Sequence, residues 1–171
     1  VPIAARFKHV TDLLNERAKE MLSVPKKAPV LLIIGGGLGA ERINKAIMND
    51  VATLMNVPLL RVFHVVGRGN EQDANAYYDT TLDPNDRKRV VVYGFTNSVA
   101  LLGEAADVVV TRAGATNLAE FSTQGKACII VPATHLAGGH QVKNAYAYKQ
   151  KQAAVVVAED HLDELVTAVT M

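Results

Sequence analysis

The sequence has one cysteine, no long apolar run and almost no excess of charge. Cys128 alone cannot form an internal disulfide, which favours a reducing compartment. Apolar runs such as Val30–Ile34 are far shorter than the roughly 20 residues that span a bilayer, and no signal peptide precedes them. The net charge of +1 argues against a nucleic-acid or polybasic membrane binder. We therefore expect a cytoplasmic protein. If it binds an anionic ligand, a few groups at the site hold the ligand, and not a basic surface.

Length and composition indicate a single folded domain. The chain has 171 residues, of which 49% are hydrophobic and 20% are charged, an ordinary globular mixture. It begins with Val1 rather than Met. We expect it to be a piece of a longer protein.

Hydrophobic periodicity predicts six strands alternating with helices. The predicted strands cover residues 30–34, 60–66, 90–93, 108–111, 128–131 and 153–158. The predicted helices cover residues 6–22, 43–54, 71–80, 98–105, 115–124 and 141–152, with a last one from about 160. This alternation is typical of an α/β fold, a Rossmann-like open parallel sheet of about six strands with helices on both faces. Ligands of such sheets bind at the carboxyl ends of the strands.

The first candidate loop, Gly35–Ala40, follows the first strand and opens a helix. Its glycines allow backbone N–H groups to approach a phosphate, and the helix N-terminus adds partial positive charge. The loop also satisfies the G-x-G-x-x-G/A dinucleotide fingerprint, which by itself is a weak signal. An NAD site further needs an acidic residue after the next strand, where this sequence has His64, Gly67 and Arg68. A tight turn without a ligand is the alternative.

The second candidate loop, Arg112–Glu120, follows the strand at 108–111. Small residues followed by Thr116 and Asn117 predict another accessible helix N-terminus. The carboxylate of Glu120, in the first turns of that helix, could accept two hydrogen bonds from a ribose diol. In the alternative interpretation Glu120 only complements the helix dipole and Arg112 is a surface charge.

The third candidate loop, Pro132–Ala145, carries neutral polar groups suited to sugar hydroxyls on His140, Gln141 and Asn144. His135 and His140 have no carboxylate or cysteine nearby in this stretch, which disfavours a metal site. No nucleophile motif stands out, and Cys128, inside an apolar strand, is predicted to be a core residue.

At these loops the sequence resembles glycosyltransferase family 28, specifically its C-terminal, donor-binding domain, over nearly the whole chain. The features that carry the resemblance come in the family's order, each at the carboxyl end of a predicted strand: Gly35–Ala40, His64-x-x-Gly67, Phe95-Thr96, Ala106–Ala115 with Glu120, and Pro132 followed by His140-Gln141-x-x-Asn144-Ala145.

The resemblance implies one half of a two-domain GT-B enzyme. This half would bind UDP-GlcNAc for an inverting, metal-independent transfer of N-acetylglucosamine to undecaprenyl-diphospho-muramoylpentapeptide in peptidoglycan synthesis. The other half would hold the lipid-linked acceptor and the catalytic base, and the full protein would be peripheral on the inner face of the cell membrane. Residues 1–24 would then be a linker remnant with a leading helix, and residues 25–171 the donor-binding domain, without a cofactor or metal.

The resemblance also implies roles for individual residues. Phe95 and the backbone of Thr96 would cap and read the uracil, Glu120 would bind the ribose, and His140, Gln141 and Asn144 would face the sugar. The remaining donor contacts would be with the diphosphate or beside it, at Gly36, Gly37, Leu38, Gly39, Arg112, Gly114, Ala115 and Thr116.

Three positions depart from the family's pattern. Gly37 stands where the family usually has Ser, His140-Gln141 where many members have Gln-Gln, and Arg6 is offset from the family's Arg after the linker proline.

Three alternatives stay open from the sequence. The chain could belong to another lipid glycosyltransferase or a UDP-sugar epimerase of the same architecture. It could be an NAD-type Rossmann module, although the acidic ribose ligand is absent. It could also be a non-catalytic partner subunit of a transferase split into two chains.

Overall fold

The computed structural model describes residues 7–35, 40–134 and 139–171, in which strands and helices alternate. The strands are β1 (Val30–Ile34), β2 (Arg61–Val65), β3 (Val90–Tyr93), β4 (Val108–Thr111), β5 (Ala127–Ile130) and β6 (Val155–Val156). The helices are α1 (Asp12–Met21), α2 (Glu41–Asn49), α3 (Val51–Met55), α4 (Glu71–Thr81), α5 (Pro84–Arg87), α6 (Val99–Ala105), α7 (Ala115–Thr123), α8 (His140–Gln150) and α9 (Leu165–Thr170).

In the described part of the chain the strands form one six-stranded sheet in the order β3-β2-β1-β4-β5-β6. Every neighbouring pair is parallel, which confirms the predicted fold class. The chain order reverses between β1 and β4, so the loops after these two strands diverge to opposite faces of the sheet. The resulting crevice at the carboxyl ends is where ligands of open α/β sheets bind.

The two faces of the sheet carry separate hydrophobic cores, because successive side chains of a strand point to opposite faces. In β1, Leu31 and Ile33 pack with residues of α2, α3, α4 and α9. Leu32 and Ile34 pack on the other face with residues of α6, α7 and α8. Covering on both faces explains why β1 is an uninterrupted apolar run.

Several element boundaries differ from the prediction. The helix predicted over 43–54 is interrupted at Asp50, whose φ of −115° and ψ of 20° are not helical. The helix predicted over 6–22 begins at Asp12, because the side chain of Thr11 caps it. The short α5 was not predicted; Asp83 caps it and Pro84 occupies its first turn. β6 has only two residues, fewer than the predicted six.

Helix α1 is tied to α6 and the amino ends of the strands. The amide of Asn15 donates to the carbonyl of Glu104 at 2.9 Å. The buried ammonium of Lys19 donates to the carbonyl of Ala28 at 3.0 Å and pairs with Asp107 at 3.2 Å. These contacts join residues on both sides of the predicted boundary at 24/25, and that division stays a prediction.

Candidate functional site

Three helix N-termini lie side by side at the carboxyl edge of the sheet. Helices α2, α7 and α8 follow β1, β4 and β5, which are neighbours in the sheet. Their N-cap residues are Ala40, Gly114 and Gly139, and among the described residues no side chain caps any of them. At the opposite edge, by contrast, Asp83 caps α5 and accepts from the backbone N–H of Asn85 at 2.8 Å. The uncapped N–H groups and helix dipoles favour an anion at the carboxyl edge.

The N-terminus of α7 provides the accessible backbone that the sequence predicted there. Ala115 and Thr116 are both exposed in its first turn. The side-chain amide of Asn117 is 3.4 Å from the hydroxyl of Thr111, the last residue of β4. Glu120 lies one turn further along the helix and is partly exposed. The predicted diphosphate and ribose contacts of this loop therefore lie on one helix.

Helix α8 is attached to the two loops beside it by residues that were predicted to read the sugar. The Nδ2 atom of Asn144 donates to the carbonyl of Ala113 at 2.9 Å. The Oε1 atom of Gln141 accepts from the backbone N–H of Ala133 at 3.0 Å. His140, the first residue of α8, is exposed. The structure thus places Asn144 next to the start of α7 and Gln141 against the loop after β5, with His140 exposed beside them.

Arg112 was predicted in the donor site, and the structure gives its guanidinium a buried partner that the sequence did not reveal. Its Nη2 atom lies 2.6 Å from Oε1 of Glu159, whose side chain is only 1% exposed. Although burial by itself raises the pKa of Glu159, the hydrogen bond and charge of Arg112 hold it below its usual range. The assignment of Arg112 as a direct donor contact stays a prediction.

Glu159 joins four segments of the carboxyl edge. Besides Arg112, its carboxylate pairs with Arg42 of α2 at 3.3 Å and accepts from the hydroxyl of Thr134 at 3.3 Å. Arg42 also donates to the backbone carbonyl of Glu159 at 2.8 Å. This cluster of two guanidinium groups around one carboxylate has a net positive charge beside the N-terminus of α2. The only sequence signal is a charged pair, Glu159-Asp160, directly after an apolar strand.

A second group of predicted site residues lies beyond the ends of β2 and β3. The ring of Phe95, a residue that is 52% exposed, has the guanidinium carbon of Arg68 4.3 Å from its centroid. The hydroxyl of Thr96 accepts from the backbone N–H of Ser98 at 3.0 Å. Phe95 and Thr96 therefore lie on the β2 side of the crevice, away from the loop after β4.

His64, the first residue of the His64-x-x-Gly67 motif, lies within β2 and is buried. Its Nδ1 atom is 2.8 Å from the hydroxyl of Tyr78 and its Nε2 atom is 3.1 Å from Oδ1 of Asn44. Since Nδ2 of Asn44 donates to the carbonyl of Val66 at 2.8 Å, its Oδ1 accepts from the Nε2–H of a neutral imidazole. Burial lowers the pKa of His64 to about 3, so the ring stays uncharged near neutral pH.

Other predictions concern Cys128, metal binding, membrane spans and two short loops. Cys128 is buried in β5, as predicted, and burial raises the pKa of its thiol to about 11. Across residues 7–35, 40–134 and 139–171 no group of three His, Cys, Asp or Glu side chains could hold a metal ion. Within the same ranges no helix has the length and apolarity needed to cross a bilayer. The predicted contacts at Gly36, Gly37, Leu38 and Gly39, and His135, lie outside the described residues.

Comparison with known proteins links this chain to a family. The model of the glycosyltransferase family 28 C-terminal domain matches residues 30–171. A UDP-N-acetylglucosamine--N-acetylmuramyl-(pentapeptide) pyrophosphoryl-undecaprenol N-acetylglucosamine transferase of Christiangramia forsetii is 33% identical over 153 residues, 90% of this chain and 39% of that protein. A protein of the same name from Desulforudis audaxviator is 34% identical over 155 residues, 88% of this chain and 42% of that protein.

A solved structure agrees with these matches. The crystal structure of Acinetobacter baumannii MurG superimposes with a TM-score of 0.69 at 25% identity, covering 95% of this chain and 47% of that one. The chain thus spans less than half the length of each of these relatives.

Proposed function

This chain belongs to glycosyltransferase family 28 through its C-terminal domain, and we propose that it binds the nucleotide-sugar donor of a glycosyltransferase. One observation carries the proposal: the N-termini of α2, α7 and α8, which no side chain of the described residues caps, follow the neighbouring strands β1, β4 and β5 at the carboxyl edge of the sheet. A diphosphate fits such a site because it needs several N–H donors but no excess of basic side chains.

The donor that we propose is UDP-GlcNAc. The relatives from C. forsetii and D. audaxviator carry UDP-N-acetylglucosamine and a pyrophosphoryl-undecaprenol acceptor in their names. This chain would be the donor-binding half of such an enzyme, with residues 1–24 as a linker and leading helix. The segment that corresponds to the rest of the relatives would bind the lipid-linked acceptor and supply the base. The full protein would work at the inner face of the cell membrane.

The proposed contacts follow the arrangement of the loops. The diphosphate would lie at the N-terminus of α7, near Ala115 and Thr116, and at the loop 36–39. Glu120 would accept from the ribose hydroxyls, and Phe95 with Thr96 would hold the uracil on the β2 side. Exposed His140, with Gln141 and Asn144, would face the sugar from the start of α8.

The reaction that we propose is a displacement with UDP as the leaving group. A hydroxyl of the acceptor attacks the anomeric carbon of the sugar, the base of the remaining segment takes the hydroxyl proton, the bond from that carbon to the diphosphate oxygen breaks, and UDP leaves. Negative charge therefore increases on the diphosphate in the transition state. Helix N-termini that point at this position stabilise the leaving group electrostatically, in a role that a metal ion serves in other transferases.

Calorimetric titration with UDP and UDP-GlcNAc tests the proposal. We expect both to bind, and Glu120→Ala to weaken UDP binding on the order of ten-fold, the size expected for a lost hydrogen bond to a charged group. The matched control is Glu20→Ala, which removes an exposed carboxylate from α1. Circular dichroism should show the same fold for all three proteins.

The possible outcomes distinguish an error in the proposed function from an error in the role of Glu120. If neither ligand binds the wild-type chain at millimolar concentration, the proposed function is wrong. If UDP binds wild type and Glu120→Ala equally well, Glu120 is not part of the site. Tight binding of NAD in place of UDP would favour the dinucleotide-binding alternative.

A further inference from the structure

The loop after β2 places Arg68 against the exposed aromatic ring of the loop after β3. The guanidinium carbon of Arg68 is 4.3 Å from the ring centroid of Phe95, well within the distance of a cation–π contact. A guanidinium over one face of the ring leaves the opposite face for another planar group. Phe95 is 52% exposed in this arrangement, so the contact does not bury it.

The backbone of both loops supports this contact. Gly67 and Gly69, on either side of Arg68, have φ angles of 95° and 83°, which residues with a Cβ rarely adopt. At the end of β3, the N–H of Gly94 donates to the carboxylate of Glu71 at 3.1 Å. The glycines beside Arg68 therefore fix the backbone of its loop, and the hydrogen bond of Gly94 fixes the backbone next to Phe95.

The sheet order separates this pair from the diphosphate site. β2 and β3 lie on one side of β1, whereas β4 and the N-terminus of α7 lie on the other. In the proposed function the diphosphate lies at the N-terminus of α7 and the base at Phe95, on the other side of β1. The positive charge of Arg68 is thus placed at the base end of the site.

We propose that Arg68 is a positioning residue for the nucleotide base: its guanidinium covers one face of Phe95 and holds the ring so that the other face stacks on the pyrimidine. This inference rests on the proposed function, since it needs a base at Phe95. The planar guanidinium of arginine suits this contact with Phe95, because it stacks on aromatic rings and also carries a charge. Arg68 acts through Phe95 and not through the diphosphate.

A double-mutant cycle on UDP affinity tests the inference. The variants are Arg68→Ala, Phe95→Ala and both together, with Arg17→Ala on α1 as a control that removes one exposed positive charge elsewhere. We expect Phe95→Ala to weaken UDP binding on the order of ten-fold, the effect of losing one stacked base. Arg68→Ala should weaken it about two- to five-fold, the size of an exposed cation–π contact.

The decisive result is the coupling between the two positions. In the Phe95→Ala background, Arg68→Ala should have no further effect, and the affinity for inorganic pyrophosphate, which has no base, should be unchanged by Arg68→Ala alone. If Arg68→Ala lowers affinity equally in both backgrounds, and less so at high salt, Arg68 acts as a phosphate-attracting charge and the inference is wrong. An unchanged UDP affinity in Arg68→Ala also overturns it, whereas failure of wild type to bind UDP overturns the proposed function itself.

Discussion

Replacing Glu159 by Gln should destabilise the domain through Arg112. The Glu159 side chain is 1% exposed and that of Arg112 is 10% exposed, and their charged atoms are 2.6 Å apart. Removing one partner of a buried ion pair costs about 3–5 kcal/mol, because the other charge is left in a poorly solvated place. Gln keeps the shape and can still accept one hydrogen bond, so we expect the lower end, about 3 kcal/mol. For a domain of this size that corresponds to a fall in Tm of roughly 6–12 °C.

Urea and thermal denaturation at pH 7, followed by circular dichroism, measure this loss. Glu41→Gln is the matched control, since it breaks an exposed pair with Lys45 on the same helix as Arg42 and should change the Tm little. A double variant, Arg112→Met with Glu159→Leu, removes both buried charges and should recover much of the stability that Glu159→Gln loses.

The same pair predicts a pH dependence. The folded-state pKa of Glu159 lies below its ordinary value of 4.5. Its contribution to stability is therefore present above about pH 4.5 and is lost as the pH falls through the folded-state pKa. The stability difference between wild type and Glu159→Gln should shrink as the pH falls from 5 to 3. A Glu159→Gln protein as stable as wild type at pH 7, or a difference that does not change in acid, would refute the reasoning.

Two further predictions concern buried groups outside the proposed site. Tyr78→Phe removes the hydroxyl that faces Nδ1 of His64 at 2.8 Å in a fully buried position, and should lower the free energy of unfolding by about 1–3 kcal/mol in urea titrations; a variant as stable as wild type would mean that the hydroxyl is not needed there. Cys128 is buried and its thiol pKa is raised to about 11, so at pH 8 it should react with a thiol reagent only after denaturation in guanidinium chloride; rapid labelling of the folded protein would contradict its position in the core.

Much of the fold could be predicted from local patterns. β1, β3 and β4 have the predicted bounds because their apolar runs end at glycine, proline or polar residues. The weaker pattern around 153–158 misled the prediction, since β6 has only two residues at the edge of the sheet. The break at Asp50 was also missed, because the apolar spacing continues from α2 into α3.

The candidate site was predictable only in outline. Parallel strands present their carboxyl ends at one edge, so the loops with glycines, Glu120 and His140 could be assigned to the same edge from sequence order alone. The predicted strand over 60–66 included His64, but nothing in the sequence indicated its burial or its partners, Asn44 and Tyr78, which come from α2 and α4.

The sequence by itself determined the α/β class and the family, and it indicated the edge of the sheet at which we propose the site. Only the tertiary structure decided which charged side chains at this edge form ion pairs and which lie against an aromatic ring. Glu159 pairs with Arg112 and Arg42, whereas Arg68 lies over Phe95. The reason is physical. Apolar periodicity depends on neighbours a few residues apart, whereas these pairs form between loops that are brought together by the order of strands in the sheet.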